Sequence, residues 1–343
     1  MIVVPEAFAQ GTIEREGEPG AAWLAELPLI VDQLSKRWAR VPAGEVLHGR
    51  VGIIVPVRRR SGHADGPEEP QGTEPEGTGG AEDAAAGAED VLKVSFPHPG
   101  NVHEPDAFTA WDGRGAVRLR EREDARFAML LERARTATLA DVEDGDEVAA
   151  VAGRLHRRLA VPAPPGLPRL RDQADGWEER LREDARELPH GLSRGALGAA
   201  RATVRELGRD QPDTLIHGDF HARNILRAER EPWLAIDPKG CAGDPAYDAG
   251  TLLTARGPVF LHLEAGELRK TVHRALDIFA EAAQLDRDRA RRWTQLHAVQ
   301  AAFWGRRHGF GRARDGAVLA RLLQFAEHMA ELLRDRARPA ATT

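Results

Sequence analysis

At 343 residues the chain is long enough for two domains or two lobes with a sizeable core, and apart from 34 glycines and 22 prolines its composition is that of an ordinary globular protein. Its formal charge of −6 is local: residues 61–90 hold nine acids and no lysine or arginine, and setting them aside leaves +3, so charge implies neither nucleic acid nor a polycationic partner. No run approaches the roughly 18 apolar residues of a membrane span. The opening segment has proline and glutamates where a signal peptide needs its apolar core, and the lone Cys241 permits no disulfide and no thiolate zinc cluster, so a cytoplasmic protein is expected.

The first predicted element is a helix in ELPLIVDQLSKRW (26–38), where Leu27, Ile30, Val31, Leu34 and Trp38 recur at helical spacing with Pro28 near the start. GEVLHGRVG follows with Gly44, Gly49 and Gly52 but no GxGxxG, which makes it a weak phosphate loop. GRVGIIVPVRRR (49–60) and DVLKVSFP (90–97) read as strands, as do AVRLRERE and ARFAMLLER (116–133). The 61–90 segment has seven glycines and no aliphatic residue larger than alanine, so it cannot offset the entropy of ordering and is expected as a disordered acidic insertion at a loop tip. Beyond Arg133 the pattern turns helical in DEVAAVAGRLHRRL, RGALGAARATVRELG, LRKTVHRALDIFAEAAQL, RARRWTQLHAVQAAFWG and GAVLARLLQFAEHMAELLRDRA, with VPAPPGLPRL (161–170) as a loop. The expected architecture is α+β: an antiparallel β-rich N-terminal lobe, 1–133, and a larger helical C-terminal lobe, 134–343.

The chemistry-bearing stretch is TLIHGDFHARNIL, in which apolar triplets flank polar residues and place them on a loop between buried elements. NILRAEREPWLAIDP reads as a hairpin whose return strand delivers Asp237 beside Asn224, five residues after Asp219. An aspartate placed as base, with an Asn and a second Asp sharing magnesium, suits phosphoryl transfer, whose catalysis is mostly positioning and charge neutralisation. His217, Asp219 and His221 also have the spacing of a hydrolase metal cluster, but such an enzyme has no use for the Asn224–Asp237 hairpin. Asp244 and Asp248 are expected to cap a turn and the next helix. Arg223 either reaches the transferred phosphate or braces the loop. Cys241 is expected as a small loop residue. Lys93, in the middle of an apolar strand, is costly unless it is paired or bound to an anion, the alternative being an outward-facing edge lysine.

HGDFHARN followed by IDPKGCAGDPAYD resembles the aminoglycoside phosphotransferase family, in the branch of the streptomycin 6-kinases and hydroxyurea kinases. Weaker agreement runs through ELPLIV, LKVSFPHP, AWDGRGAVRL, MLLER and VPAPPGL. The resemblance implies a protein-kinase-like bilobal fold with ATP between the lobes, GTP being the alternative nucleotide, and a small molecule phosphorylated on a hydroxyl, such as streptomycin. By the same match Asp219 is the catalytic base, with Arg223 and His217 in its loop and His217 mainly a support. Asn224 and Asp237 hold Mg2+. Lys93 binds phosphate with Glu104 as its acidic partner, and Pro105 requires either that Glu104 lie at a helix start or that the pair be differently arranged. Glu132 falls at the lobe junction, where nearby backbone meets adenine. A streptomycin kinase must hold two guanidinium groups and calls for acids. AAFWGRRHGFG (301–311), which the resemblance turns toward that site, instead offers Arg306, Arg307 and His308, either repelling a dication or forming a solvated basic helix end. Phe303 and Trp304 are pocket or core. A protein kinase is disfavoured by the mere six residues between Asp237 and Asp244. A silent nucleotide-binding regulator is disfavoured by the presence of Asp219, Asn224, Asp237 and Lys93 together.

Overall fold

The computed structural model describes residues 2–60, 89–310, 313 and 315–334, so all but the last two residues of the expected 61–90 insertion lie outside the described residues. The chain divides into two compact units, Met1–Pro105 with Val117–Arg133, and Asp106–Ala116 with Ala134–Thr343.

In the first unit α1 (Glu6–Glu16) and α2 (Glu18–Arg37) precede the strands β1 (Arg40–Pro42), β2 (Leu47–His48), β3 (Gly52–Arg59), β4 (Asp90–Ser95), β5 (Leu119–Glu123) and β6 (Ala128–Glu132). The strands form one antiparallel sheet in the order β1-β3-β4-β6-β5, with β2 also on β3. Leu27, Val31 and Leu34 of α2 pack with Ile53, Val55, Leu92, Val94 and Leu130 of the sheet, which is why the helix shows a clear apolar stripe. That helix starts earlier than its stripe suggests, at Glu18, and Pro28 lies inside it rather than near its start. The first helix went unseen because it buries only Phe8 and Thr12 and so carries almost no apolar period. Pro56, in the middle of β3, turns its carbonyl to Ala43 N (2.8 Å), in the gap between the β1 and β2 pairings, where its missing N–H costs no ladder bond. Asp90, where the expected acidic insertion and the expected strand overlap, belongs to β4. It is buried, and Arg40 (2.9 Å) and Arg120 (3.5 Å) hold its carboxylate. Gly52 is small because β4 is close: a Cβ there would stand 2.7 Å from Val94 O.

A short helix, α3 (Glu104–Trp111), leads into the second unit. That unit holds α4 (Gly145–Leu159), α5 (Ala174–Glu187), α6 (Arg194–Leu207), α7 (Asp248–Thr254), α8 (Gly257–Phe260), α9 (Ala265–Ala283), α10 (Arg287–His308) and α11 (Gly316–Leu332). Two small antiparallel ribbons lie among them, β7 (Thr214–Ile216) with β10 (Cys241–Gly243), and β8 (Ile225–Arg227) with β9 (Trp233–Ala235). Asp106–Ala116 groups with the helical unit for a packing reason: Trp111 Nε1 donates to Leu159 O (2.8 Å), Trp111 stacks on His217, and Ala235 N donates to Gly115 O (2.9 Å). The helices α4 and α9 touch closely at Gly153, where a Cβ would meet Ala282 Cβ at 2.7 Å. Sequence periodicity misses α5 because its buried stripe, Ala174, Glu178, Leu181 and Asp184, is half acidic. Cys241 is a buried strand residue rather than a loop residue, and burial pushes its thiol up to about 12, leaving it inert.

Candidate active site

The segment from His217 to Asn224 is a tight loop between the buried strands β7 and β8. Gly218 turns it with φ +79°, and Ala222–Asn224 form one 3-10 turn. Inside the loop His221 N donates to Asp219 O (3.0 Å) and Asn224 N to His221 O (2.8 Å). The Asn224 amide donates through Nδ2 to Asp219 O (3.0 Å), which leaves its Oδ1 as the end able to accept a cation. The β8–β9 hairpin pairs Ile225 with Ala235, and Ile236 N donates to Asn224 O (2.9 Å), so Asp237 emerges beside Asn224 as its spacing suggested. Asp237 holds φ +60°, a strained value for a non-glycine residue and one that only an over-determined site sustains. An amide oxygen and a carboxylate are hard oxygen donors of the kind magnesium takes.

His217 lies beneath this loop, almost wholly buried. Its Nδ1 accepts from Asp219 N (3.3 Å), so its proton is on Nε2, which donates to Ile236 O (2.9 Å). Both ring nitrogens are therefore committed, which removes His217 from any His-Asp-His metal cluster. Beneath His217 sits Asp248, whose carboxylate accepts His217 N (3.0 Å) and Gly218 N (2.9 Å), with His156 Nε2 at 3.4 Å. Burial would raise the Asp248 pKa, but the bond and charge of His156 outweigh it and hold the carboxyl below its ordinary value. Expected only as a cap, Asp248 braces the loop that carries Asp219. Asp244 does cap, accepting Ala246 N (3.0 Å), and it also takes Trp293 Nε1 (2.6 Å) and Arg289. Arg223 is exposed and makes no hydrogen bond or ion pair among the described residues, so it does not brace the loop.

In the first unit Lys93 Nζ lies 2.5 Å from Glu104 Oε1, and both side chains are largely buried. Lys93 is thus not an outward edge lysine. Glu104 is the first residue of α3 and Pro105 the second, where a missing N–H costs nothing. Glu132 turns its carboxylate to Arg118 N (3.0 Å), its own N–H donates to Arg118 O (2.8 Å), and Arg133 N donates to Glu89 O (3.2 Å). These two backbone donors are spent on backbone carbonyls just outside β5 and β4.

Asp219 opens onto a cleft of about 980 Å³ lined wholly by the helical unit, mainly from α5, α7 and α10, with Gly218 and Asp219 of the loop and Lys239 and Tyr247 beyond it. Trp177 and Trp304 form apolar walls, and Trp304 is exposed while its neighbour Phe303 is core. The acids of the lining are Asp184 and Asp219, and its fixed cations are Arg180, Lys239 and Arg307. The basic end of α10 is exposed at Arg307 and His308, but its two arginines are not free. Arg307 grips Asp184 through Nε (2.8 Å) and Nη2 (2.5 Å) with Glu187 at 3.6 Å, and Arg306, absent from the lining, pairs with Glu327.

This loop, hairpin and cleft have counterparts in known proteins. The sequence matches the family described as aminoglycoside/hydroxyurea antibiotic resistance kinase over residues 81–309. Streptomycin 6-kinase of Streptomyces griseus is 35% identical over 306 residues, covering 88% of this chain and 91% of that protein. Hydroxyurea phosphotransferase of Kitasatospora aureofaciens is 33% identical, covering 89% and 80%. The chain belongs to this kinase family. Its enzyme class is accordingly small-molecule phosphotransferase. Solved structures share the protein-kinase-like fold at low identity: an ethanolamine kinase of Plasmodium vivax (TM-score 0.51, 8% identical, 96% of this chain and 95% of that one) and a choline kinase of Streptococcus pneumoniae (TM-score 0.50, 12%, 90% and 99%). Among the described residues no helix of this kinase is long and apolar enough to cross a membrane.

The kinase carries several buried histidines with lowered pKa. Burial depresses His217 against the pull of Asp248, and it depresses His297 to about 4 against the same carboxylate. An unfolded chain binds protons to these rings below about pH 6.5 and the native state does not, so stability is whole above that pH and falls as pH drops through it. The urea midpoint should decline steadily from neutral pH into the mildly acidic range; a flat profile there would mean that the rings are charged in the native protein.

Proposed function

We propose that the protein is a cytoplasmic, ATP- and magnesium-dependent resistance kinase that phosphorylates a hydroxyl of an aminoglycoside such as streptomycin, at its 6-position. The observation that carries this reading is the Asp219 carboxylate, held on a hydrogen-bonded loop beside Asn224 and Asp237 and opening onto the cleft. Asp219 accepts the proton of the attacking hydroxyl. Asn224 Oδ1 and the Asp237 carboxylate hold magnesium, which when bound neutralises charge on the nucleotide phosphates. Lys93, oriented by Glu104, binds phosphate oxygens of the nucleotide. His217 and Asp248 set the loop, and Arg223 is left free to meet phosphate.

The composition of the cleft supports a second reading, an uncharged acceptor of the hydroxyurea kind. Asp184 is already held by Arg307, Asp219 has Lys239 within 4.0 Å, and Arg180 has no acid partner among the described residues. An incoming dication meets no unpaired carboxylate there. The deciding experiment is magnesium-dependent nucleotide consumption against streptomycin, other aminoglycosides, hydroxyurea, amino sugars and simple alcohols, with Asp219→Ala as the blank. Turnover above the blank is expected with streptomycin. Turnover with neutral acceptors alone would move the assignment to the second reading, and none with any acceptor would remove both.

A further inference from the structure

Lys239, the lysine of IDPKG, lies between the two carboxylates of the site. Of the 48 basic residues in the chain only four are lysines, Lys36, Lys93, Lys239 and Lys270. Its stem is clamped to the base loop: Lys239 N donates to His217 O (2.7 Å), and a Cβ on Gly218 would stand 3.0 Å from Lys239 Cβ and 3.3 Å from Cys241 Sγ. Gly218 is therefore needed twice, for its positive φ and to admit this stem. At the other end Nζ lies 4.0 Å from Asp219 Oδ2 and 4.0 Å from Asp237 Oδ2, and it borders the cleft. Those distances attract but do not hydrogen-bond, so none of the three ammonium donors is used among the described residues. With both partners about a third exposed, such pairs contribute little to folding.

An ammonium held between a base and a magnesium ligand, with all its donors to spare, is arranged for a third, anionic group. We propose that Lys239 is a catalytic residue that hydrogen-bonds the equatorial oxygens of the phosphoryl group in transit. The inference rests on the phosphotransferase reading. In the step it serves, the acceptor oxygen bonds to the γ-phosphorus as the bond to the bridging β–γ oxygen breaks. ADP leaves with that electron pair, and the hydroxyl proton goes to Asp219. Charge spreads over the three equatorial oxygens during the step, and a lysine point charge follows them where a rigid guanidinium fork would not.

The test compares wild type, Lys239→Met and Lys239→Arg in acceptor phosphorylation and in slow ATP hydrolysis without acceptor, and adds calorimetric titration of ADP and magnesium with and without aluminium fluoride as a phosphoryl mimic. Lys239→Met should lower kcat by about 10²–10³-fold, the usual loss for one preorganised donor. Nucleotide KM, ADP affinity and the thermal midpoint should stay near wild type, and Lys239→Arg should recover part of kcat. The methionine variant should also lose the gain in ADP affinity that fluoride confers on wild type. Unchanged kcat, or an unchanged fluoride gain, in Lys239→Met beside an active wild type would overturn the role of Lys239 alone. A wild type that neither phosphorylates nor hydrolyses would overturn the phosphotransferase reading and this inference with it.

Discussion

Asp219→Ala should abolish acceptor phosphorylation while nucleotide binding stays close to wild type. A positioned general base contributes roughly 10²–10⁴-fold to rate. Here the carboxylate also faces Asp237, the proposed magnesium ligand, across Lys239, so loss toward the upper end of that range is expected. Asp219→Asn is the sharper variant, because it keeps the volume and the loop bonds, which run through the Asp219 backbone N–H and C=O rather than its side chain. Both variants should fold with wild-type urea midpoints. Coupled ADP release measures the rate and calorimetry the nucleotide affinity; an Asp219→Asn enzyme turning over like wild type would end the assignment of Asp219 as base.

The largest effect on stability is expected at Asp248. Its side chain is fully buried and accepts the backbone N–H groups of His217 and Gly218, with His156 beside it. Asp248→Ala leaves two buried donors without acceptors, at roughly 1–3 kcal/mol each, and takes away the carboxylate beside His156 Nε2. The combined loss should be about 3–5 kcal/mol, the usual consequence of removing one member of a buried charged network. Asp248→Asn should fall between, since a single amide oxygen cannot accept two N–H groups in the same way. Urea midpoints by circular dichroism measure this, and activity should fall in step because His217 and Gly218 set the angle of the Asp219 loop. A stable Asp248→Ala protein with normal turnover would show that the loop needs no brace.

The parts of the site that could be read in the chain are those whose partners are close in sequence or governed by a local rule. The five-residue step from Asp219 to Asn224 and the short β8–β9 hairpin leave few ways to arrange Asp237, and the structure ties Asn224 O to Ile236 N accordingly. Pro105 confines Glu104 to a helix start for the same local reason, since a proline removes an N–H that only the first turn can spare. Strands and long helices were visible wherever one face was apolar, as in α2, α4 and α10. Where the buried face was polar, as in α5, or where little was buried, as in α1, periodicity had nothing to report.

What the chain could not show alone is which side chains meet across long separations. Asp248 stands about thirty residues from the loop it braces, and nothing in GDPAYD distinguishes that role from a helix cap. Arg306 and Arg307 looked like two charges facing a substrate; Asp184 on α5 and Glu327 on α11 turn them into ion pairs, because three helices bring those faces together. Trp304 and Phe303 are neighbours of similar chemistry, and the packing of α10 alone sends one to the cleft and the other to the core. The sequence by itself placed the Asp219 loop and the Asn224–Asp237 hairpin, because their geometry follows from spacing and backbone rules, and its reaction class was legible through the resemblance of those motifs to a kinase family. Only the tertiary structure decided the charge of the cleft beside Asp219 and the place of Lys239, because both depend on neighbours that the folded backbone, and no local pattern, supplies.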